Sequence, residues 1–209
     1  MANDREGAAG LRYVLSKIPS SDIDRDWKDL SGTPGRKSAV LVPVFPRNGE
    51  LFLLLLERSA SLRRHPGQIA FPGGAMEKGD RGPVDTALRE FTEETGIPGE
   101  RVEIVGTLPE VRAYSSDFSL FPVVGLIPSG VVPGDLSPDS HEVKSVLEVP
   151  LKELERTPVM ENFTRRGKVL SYPVFRIGDG VNIWGATAWI ILNLIRTLED
   201  GEMKGSRCP

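Results

Sequence analysis

Residues 71–97 read F-P-G-G-A-M-E-K-G-D-R-G-P-V-D-T-A-L-R-E-F-T-E-E-T-G-I, a glycine turn that runs into a helix. The helix signals are local. Pro83 suits a first helical position, where its missing N–H has no partner to lose. Asp85 places negative charge in the first turn, where the helix dipole favours it. Gly96 fits just past the last turn, with Pro98 as a stop. Val84, Leu88, Phe91 and Thr95 recur at the spacing of one helical face, with Ala87 beside them. At ~100° per residue, Glu90 and Glu94 project along a neighbouring face and Glu93 lies further round. Three carboxylates this close repel one another at neutral pH unless a cation sits between them. Carboxylate oxygens are the hard ligands that Mg²⁺ and Mn²⁺ prefer. Taken alone, E-x-x-E-E is more often the pattern of a solvated acidic helix face.

The same segment resembles the signature of the Nudix hydrolases, G-x5-E-x7-R-E-U-x-E-E-x-G-U, where U is aliphatic. Gly74 matches the opening glycine. Arg89, Glu90, Phe91, Glu93, Glu94, Gly96 and Ile97 match the second half, with aromatic Phe91 in the first U place. The loop between them departs from the pattern. Asp80 stands six residues after Gly74, where the family usually has Glu, and its spacing to Arg89 is one residue longer. Counted back from Arg89, the acidic slot falls on Arg81, which cannot serve; Asp80 is therefore assigned to it. A second resemblance lies upstream, where residues 54–74 read L-L-L-E-R-S-A-S-L-R-R-H-P-G-Q-I-A-F-P-G-G. This looks like the extra motif of the coenzyme A-cleaving Nudix enzymes, with Leu54, Leu55, Arg58, Ser59, Arg63, Gly67 and F-P-G-G in register and Leu56 in place of Thr. The run I-W-G-A-T-A at 183–188 also resembles that subfamily.

Arg58, Arg63, Arg64 and His65 concentrate positive charge just before the glycine turn, and arginine forks match phosphate oxygens bidentately. Coenzyme A carries a pyrophosphate and a separate 3′-phosphate, so it needs cations beyond a metal site. Without the motif register this would read as a basic, solubilising loop. Gly73 and Gly74 let the backbone approach a ligand closely. The substrate-binding candidates are thus Arg58, Arg63, Arg64, Gly67, Gly73 and Gly74.

The chain has 209 residues, net charge −3 and a single cysteine, Cys208. The length fits one α/β domain with a sizeable core. The charge gives no general attraction to nucleic acid or an acidic membrane, so local arginines must steer a small-molecule nucleotide substrate. One cysteine excludes an internal disulfide and fits a reducing, cytoplasmic setting. The first ten residues are too polar for a secretory signal. The most apolar run, 183–195, is shorter than the ~20 residues a membrane span needs.

A coarse pass places an N-terminal extension over 1–35, with an amphipathic stretch at 11–18, the domain over 36–200 and a tail over 201–209. Residues 39–45 and 51–56 read as strands joined by an Asn48-Gly49 hairpin, apolar enough to be buried on both faces. Further strands are expected at 102–105, 120–127, 143–149, 172–177 and 181–183, with a short helix opened by Pro150. Gly178-Asp179-Gly180 reads as a second hairpin turn. Residues 184–198 form a closing helix, apolar nearly all round and so enclosed by the chain or by a second copy in a homodimer. The fold implied by the resemblance agrees: a Nudix-type α/β/α sandwich with a mixed β-sheet.

The resemblance implies a metal-dependent diphosphohydrolase that cleaves coenzyme A, or an acyl form, to 3′,5′-ADP and 4′-phosphopantetheine. Glu90, Glu94 and Glu93 are the expected ligands of Mg²⁺ or Mn²⁺, and Arg89 is expected to orient a glutamate. A general base must be a carboxylate near the attacking water. Glu93, Asp80 and Glu142 are the candidates; Glu142 reads equally well as a strand-edge charge, and His141 as an ordinary surface histidine. Residues 114–118 offer a contact to the base or the pantetheine arm, or a plain surface turn. Two rivals stand beside this reading. One is a Nudix pyrophosphatase for ADP-ribose, dinucleotides or nucleoside triphosphates. The other is a non-catalytic Nudix module that senses a nucleotide.

Overall fold

The computed structural model describes residues 12–62, 65–113, 117–128, 141–155, 158–165, 168–178 and 180–200. The frame is set by two long strands, β1 (Arg36–Arg47) and β2 (Glu50–Arg58), whose central residues are almost all buried. Asn48 and Gly49 between them both take positive φ, 52° and 80°, as a tight hairpin with the right strand twist requires. The remaining strands are β3 (Ile69–Ala70), β4 (Gly73–Ala75), β5 (Glu103–Thr107), β6 (Val111–Ala113), β7 (Phe118–Leu126) and β8 (Val143–Pro150). The central sheet runs β3-β2-β1-β7-β5, with β4 on β1, β6 on β7 and β8 on β2. Among the described residues only β1 and β7 pair in parallel; the other pairings of this sheet are antiparallel.

Helix α1 (Pro83–Thr95) covers one face of this sheet. Its cluster joins Ala87 and Phe91 to Leu41, Phe45, Leu54 and Val123. The other face, carrying Val40, Val42, Val44, Leu53 and Leu55, packs against α3 (Gly185–Asp200). The period of two along a strand sends neighbouring residues to opposite faces, so both cores draw on the same strands. This is the expected α/β/α sandwich with a mixed sheet. A short helix, α2 (Leu151–Glu155), follows β8. Pro150 closes that strand instead of opening the helix.

A second sheet, β11-β10-β9, is built from β9 (Pro158–Arg165), β10 (Lys168–Ile177) and β11 (Val181–Ile183). Strand β9 is absent from the sequence reading. Its Val159, Met160 and Phe163 are exposed, so no buried period marks it. Gly178 and Gly180 flank the second turn; Asp179 lies outside the described residues. Helix α3 is enclosed by its own chain, with Phe175, Ile177, Ile183 and Leu15 in its cluster. Its apolar circumference therefore calls for no second copy.

Helix α1 is capped as its sequence indicates: Pro83 opens it, and Gly96 closes it with φ 76° and an N–H to the Thr92 carbonyl. Its buried stripe is rotated from the expected one. Pro83, Thr86, Ala87, Phe91, Glu94 and Thr95 face inward, while Val84 and Leu88 are only partly covered. The rotation carries a glutamate into the interior. Residues 12–35 also pack on the domain, burying Leu15, Ile18, Trp27 and Leu30. Among the described residues no helix is long and apolar enough to cross a membrane.

Candidate active site

Strand β4 positions the glycine turn. It lies antiparallel to β1, with Ala39 opposite Gly74 and Val40 opposite Gly73. A Cβ on Gly73 would strike the Ala39 carbonyl and Val40, and one on Gly74 would overlap the Glu90 carboxylate. Both positions need glycine for space rather than for φ. The Gly73 N–H donates to Glu94 Oε2 at 2.9 Å. The turn and the helix are thereby tied together at the carboxylates.

Glu94 is 8% exposed. Burial pushes its carboxyl up to about 7, and the nearby Glu90 and Glu142 charges add to the rise against the Gly73 N–H and Arg58. Glu90 is also raised, chiefly by burial, with Glu93 and Glu142 adding to it against Arg89. Both carboxylates are held above their ordinary range because burial disfavours their charged forms more than their partners favour them. Glu93 is 61% exposed at the rim. Glu142 is exposed just before β8, its backbone carbonyl accepting from the Ser59 N–H at 2.8 Å.

Arg89 ties this group together. Its Nη1 donates to Glu90 Oε1 at 2.8 Å and to Glu93 Oε2 at 3.4 Å. Its other donors reach the Ala75 carbonyl at 3.0 Å and both oxygens of Asp80 at 3.3 and 3.1 Å. Asp80 accepts further bonds from the Glu77 N–H at 2.9 Å and the Thr86 hydroxyl at 2.8 Å. Burial alone would raise its pKa; the bonds from Arg89, Glu77 and Thr86 outweigh that and hold it low. Arg89 itself is raised, first by its bonds to Asp80. The Thr86 hydroxyl in turn accepts the Trp27 indole N–H at 3.2 Å. Trp27 thus links the segment before β1 to the arginine that grips Glu90.

A cleft of about 730 Å³ opens over the glycine strand. Arg36, Arg58, Arg112 and His65 line it, and among the described residues no Asp or Glu does. This is a marked segregation in a chain with 29 acidic residues against 26 Lys and Arg. Arg58 stands 3.9 Å from Glu94, and its buried Nε has no hydrogen-bond partner among the described residues. His65 (φ 57°) and Gly67 (φ 68°) shape the loop beside it. Phe163, Tyr172, Trp184, Trp189 and Ile190 form an apolar wall. Phe163 meets Tyr172 edge-on at 5.2 Å, and Trp184 is 49% exposed.

The structure therefore brings Glu90, Glu93, Glu94, Arg89, Asp80, Glu142, Arg58, Gly67, Gly73 and Gly74 to one region. Arg63, Arg64 and residues 114–116 lie outside the described residues. The sequence reading did not single out Arg36, Arg112, Trp27, Thr86 or the aromatic wall. Isolated arginines at strand ends and one exposed hairpin leave no periodic trace, whereas Trp184 lies within the I-W-G-A-T-A run.

The donor set suits a hard divalent cation. Among the described residues no three acidic or imidazole groups converge into a preformed cage. Mg²⁺ is typically held by one or two carboxylates plus substrate phosphates and water. Glu90 and Glu94 supply that number, and the missing Cβ of Gly74 lets the Glu90 carboxylate pack directly against the glycine strand.

A family model described as the NUDIX domain matches residues 35–167. The chain is 40% identical over 169 residues to an uncharacterized Nudix hydrolase NudL of Citrobacter koseri, covering 76% of this chain and 81% of that one. It is 42% identical over 171 residues to the NudL of Pectobacterium atrosepticum, with 79% and 84% covered. A MutT/nudix family protein from Enterococcus faecalis superposes with a TM-score of 0.51 at 16% identity, over 80% of this chain and 65% of that one, a likeness of fold alone. On the domain match and these relatives, the chain belongs to the Nudix hydrolase family.

Proposed function

We propose that this Nudix hydrolase cleaves the pyrophosphate of coenzyme A, or of an acyl-coenzyme A, to 3′,5′-ADP and 4′-phosphopantetheine or its acyl form. One observation carries the reading: the cleft over the glycine strand is lined by Arg36, Arg58, Arg112 and an aromatic wall, with no acid among its described lining residues. A pyrophosphate with one charged nucleotide arm and one uncharged, flexible arm fits that division. The arginine register upstream of the glycine turn supports the same substrate.

Glu90 and Glu94 would hold Mg²⁺ or Mn²⁺, with Glu93 at the rim. When bound, such an ion neutralises pyrophosphate charge and acidifies its water. Gly73 and Gly74 let the pyrophosphate lie close to the backbone. Arg58 lines the cleft and offers its guanidinium to a phosphate oxygen. Arg89 holds Glu90 in place, and Asp80 holds Arg89. Asp80 is a positioning residue, since Arg89, Thr86 and the Glu77 N–H occupy its oxygens. We assign the general base to Glu142, which is exposed and lies close enough to raise both Glu90 and Glu94. Arg63 and Arg64 are assigned to the substrate phosphates. The single cysteine supports a cytoplasmic setting.

The test is product analysis after separate incubation with coenzyme A, ADP-ribose and NADH, each with Mg²⁺ and with Mn²⁺. The expected result is release of 3′,5′-ADP with the highest kcat/KM on coenzyme A. Faster cleavage of ADP-ribose or NADH would overturn the assignment. Tight binding of one of them without cleavage would favour a sensing module.

A further inference from the structure

Coenzyme A differs from ADP-ribose and NADH in carrying a phosphomonoester on its ribose. We propose that Arg36, stacked on Phe118, is the subsite for that phosphate and selects 3′-phosphorylated substrates. The inference rests on the coenzyme A reading above.

Arg36 opens β1 on the cleft face of the sheet, the face that also presents Ser38 and Val40. It lies three residues before Ala39, the partner of Gly74. At about 3.3 Å per residue this sets it ~10 Å along the strand from the glycine turn, the scale of one nucleoside. Arg58 and His65 sit at the ends of β2 and its following loop, across the glycine strand. The cleft therefore has one cationic position beside the carboxylates and a second one a nucleoside's length away.

The second position is built rather than incidental. The parallel register of β1 and β7 sets Arg36 beside Phe118, and the guanidinium carbon stands 4.6 Å from the ring centroid. Stacking uses a face of the guanidinium plane and leaves its in-plane N–H donors free to fork onto an oxyanion. Its backbone is pinned by an N–H bond to the Asp117 carbonyl at 2.9 Å. The preceding Gly35, at φ +82°, has no room for a Cβ against that same carbonyl. Charge points the same way. Among the described residues no carboxylate pairs with Arg36. Asp117, which precedes Phe118, is bonded through Oδ1 to Arg112 at 3.2 Å. Arg112 so offsets that acid's charge, and Arg36 keeps its own donors for a ligand.

The experiment compares coenzyme A with dephospho-coenzyme A as substrates of the full chain, for wild type, Arg36→Gln, Arg36→Lys and Arg63→Gln. Arg36→Gln should lower the ratio of kcat/KM on coenzyme A to that on dephospho-coenzyme A by about tenfold to a hundredfold, the worth of a charge-assisted hydrogen bond. The loss should fall on KM for coenzyme A, and Arg36→Lys should recover part of it. Calorimetry should show the preference for 3′,5′-ADP over 5′-AMP shrinking in Arg36→Gln by a similar factor. An unchanged ratio overturns the proposal, as does a selective loss confined to Arg63→Gln. Equal losses on both substrates also overturn it and point to stacking of the base on Arg36. Wild type that fails to cleave coenzyme A refutes the functional reading instead, a separate outcome.

Discussion

Replacing Glu94 with glutamine should make the metal-free protein more stable at high pH, although it removes a residue assigned to the active site. The Glu94 carboxyl is carried from an ordinary 4.5 to about 7 in the fold. Below pH 4.5 it is protonated in folded and unfolded chains alike, and its contribution to stability is full. Between 4.5 and 7 the unfolded chain releases its proton first, so stability falls as pH rises. Above 7 the penalty is complete. At about 1.4 kcal/mol per pH unit, the 2.5-unit displacement amounts to about 3 kcal/mol. Glutamine has the same shape and can still accept from the Gly73 N–H, but it does not titrate. Urea unfolding in chelator, read as ΔG with a constant m value, should therefore show the Glu94→Gln variant gaining about 3 kcal/mol on wild type between about pH 4 and pH 8.5. Mg²⁺ should raise the wild-type midpoint more at the upper end of that range than at the lower, and should leave the variant nearly unmoved. Parallel pH curves for the two proteins in chelator would refute the reasoning.

Three further outcomes follow from the same geometry. Asp80→Asn should cost about 2 kcal/mol of stability and lower kcat, because it leaves Arg89 partly buried with a weakened partner; unchanged kcat with normal folding would show that Glu90 does not depend on that pair. Gly74→Ala should overlap the Glu90 carboxylate, costing about 1–3 kcal/mol and weakening the Mg²⁺-induced rise in melting temperature; a normal rise would show that the ion does not depend on where Glu90 packs. Glu142→Gln should reduce kcat by about 10²–10⁴ while leaving the Mg²⁺-induced rise intact, and a kcat within a few-fold of wild type would move the general base elsewhere.

Much of the frame was legible because burial on both faces leaves a plain mark. Strands β1 and β2 are nearly unbroken apolar runs, and Asn48-Gly49 supplies the positive φ values that their hairpin needs. Helix α1 announced its own ends through Pro83 and Gly96. Strands β3, β4 and β6 have two or three residues each, too few for any period to show. They exist because a neighbouring strand offers hydrogen bonds. The site was legible as a set of residue types but not as an arrangement. Helical spacing put Glu94 on a face beside the apolar one, and the Gly73 N–H and the sheet beneath it explain its burial. Asp80 stands where a loop acid belongs, yet its bonds to Arg89, Thr86 and Glu77 depend on contacts that sequence spacing does not contain. Arg36 and Phe118 are 82 positions apart, joined by a parallel register that neither one's local sequence encodes.

The bond from Trp27 to Thr86 reaches the arginine grip from a segment that precedes the matched domain boundary at residue 35. A chain trimmed to that boundary would retain every glutamate of the helix while losing the outermost anchor of Asp80. The same segment seats Leu15 and Ile18 in one core and Trp27 and Leu30 in the other. The leading segment is thus a shared hinge-pin, and its removal should lower activity and melting temperature together.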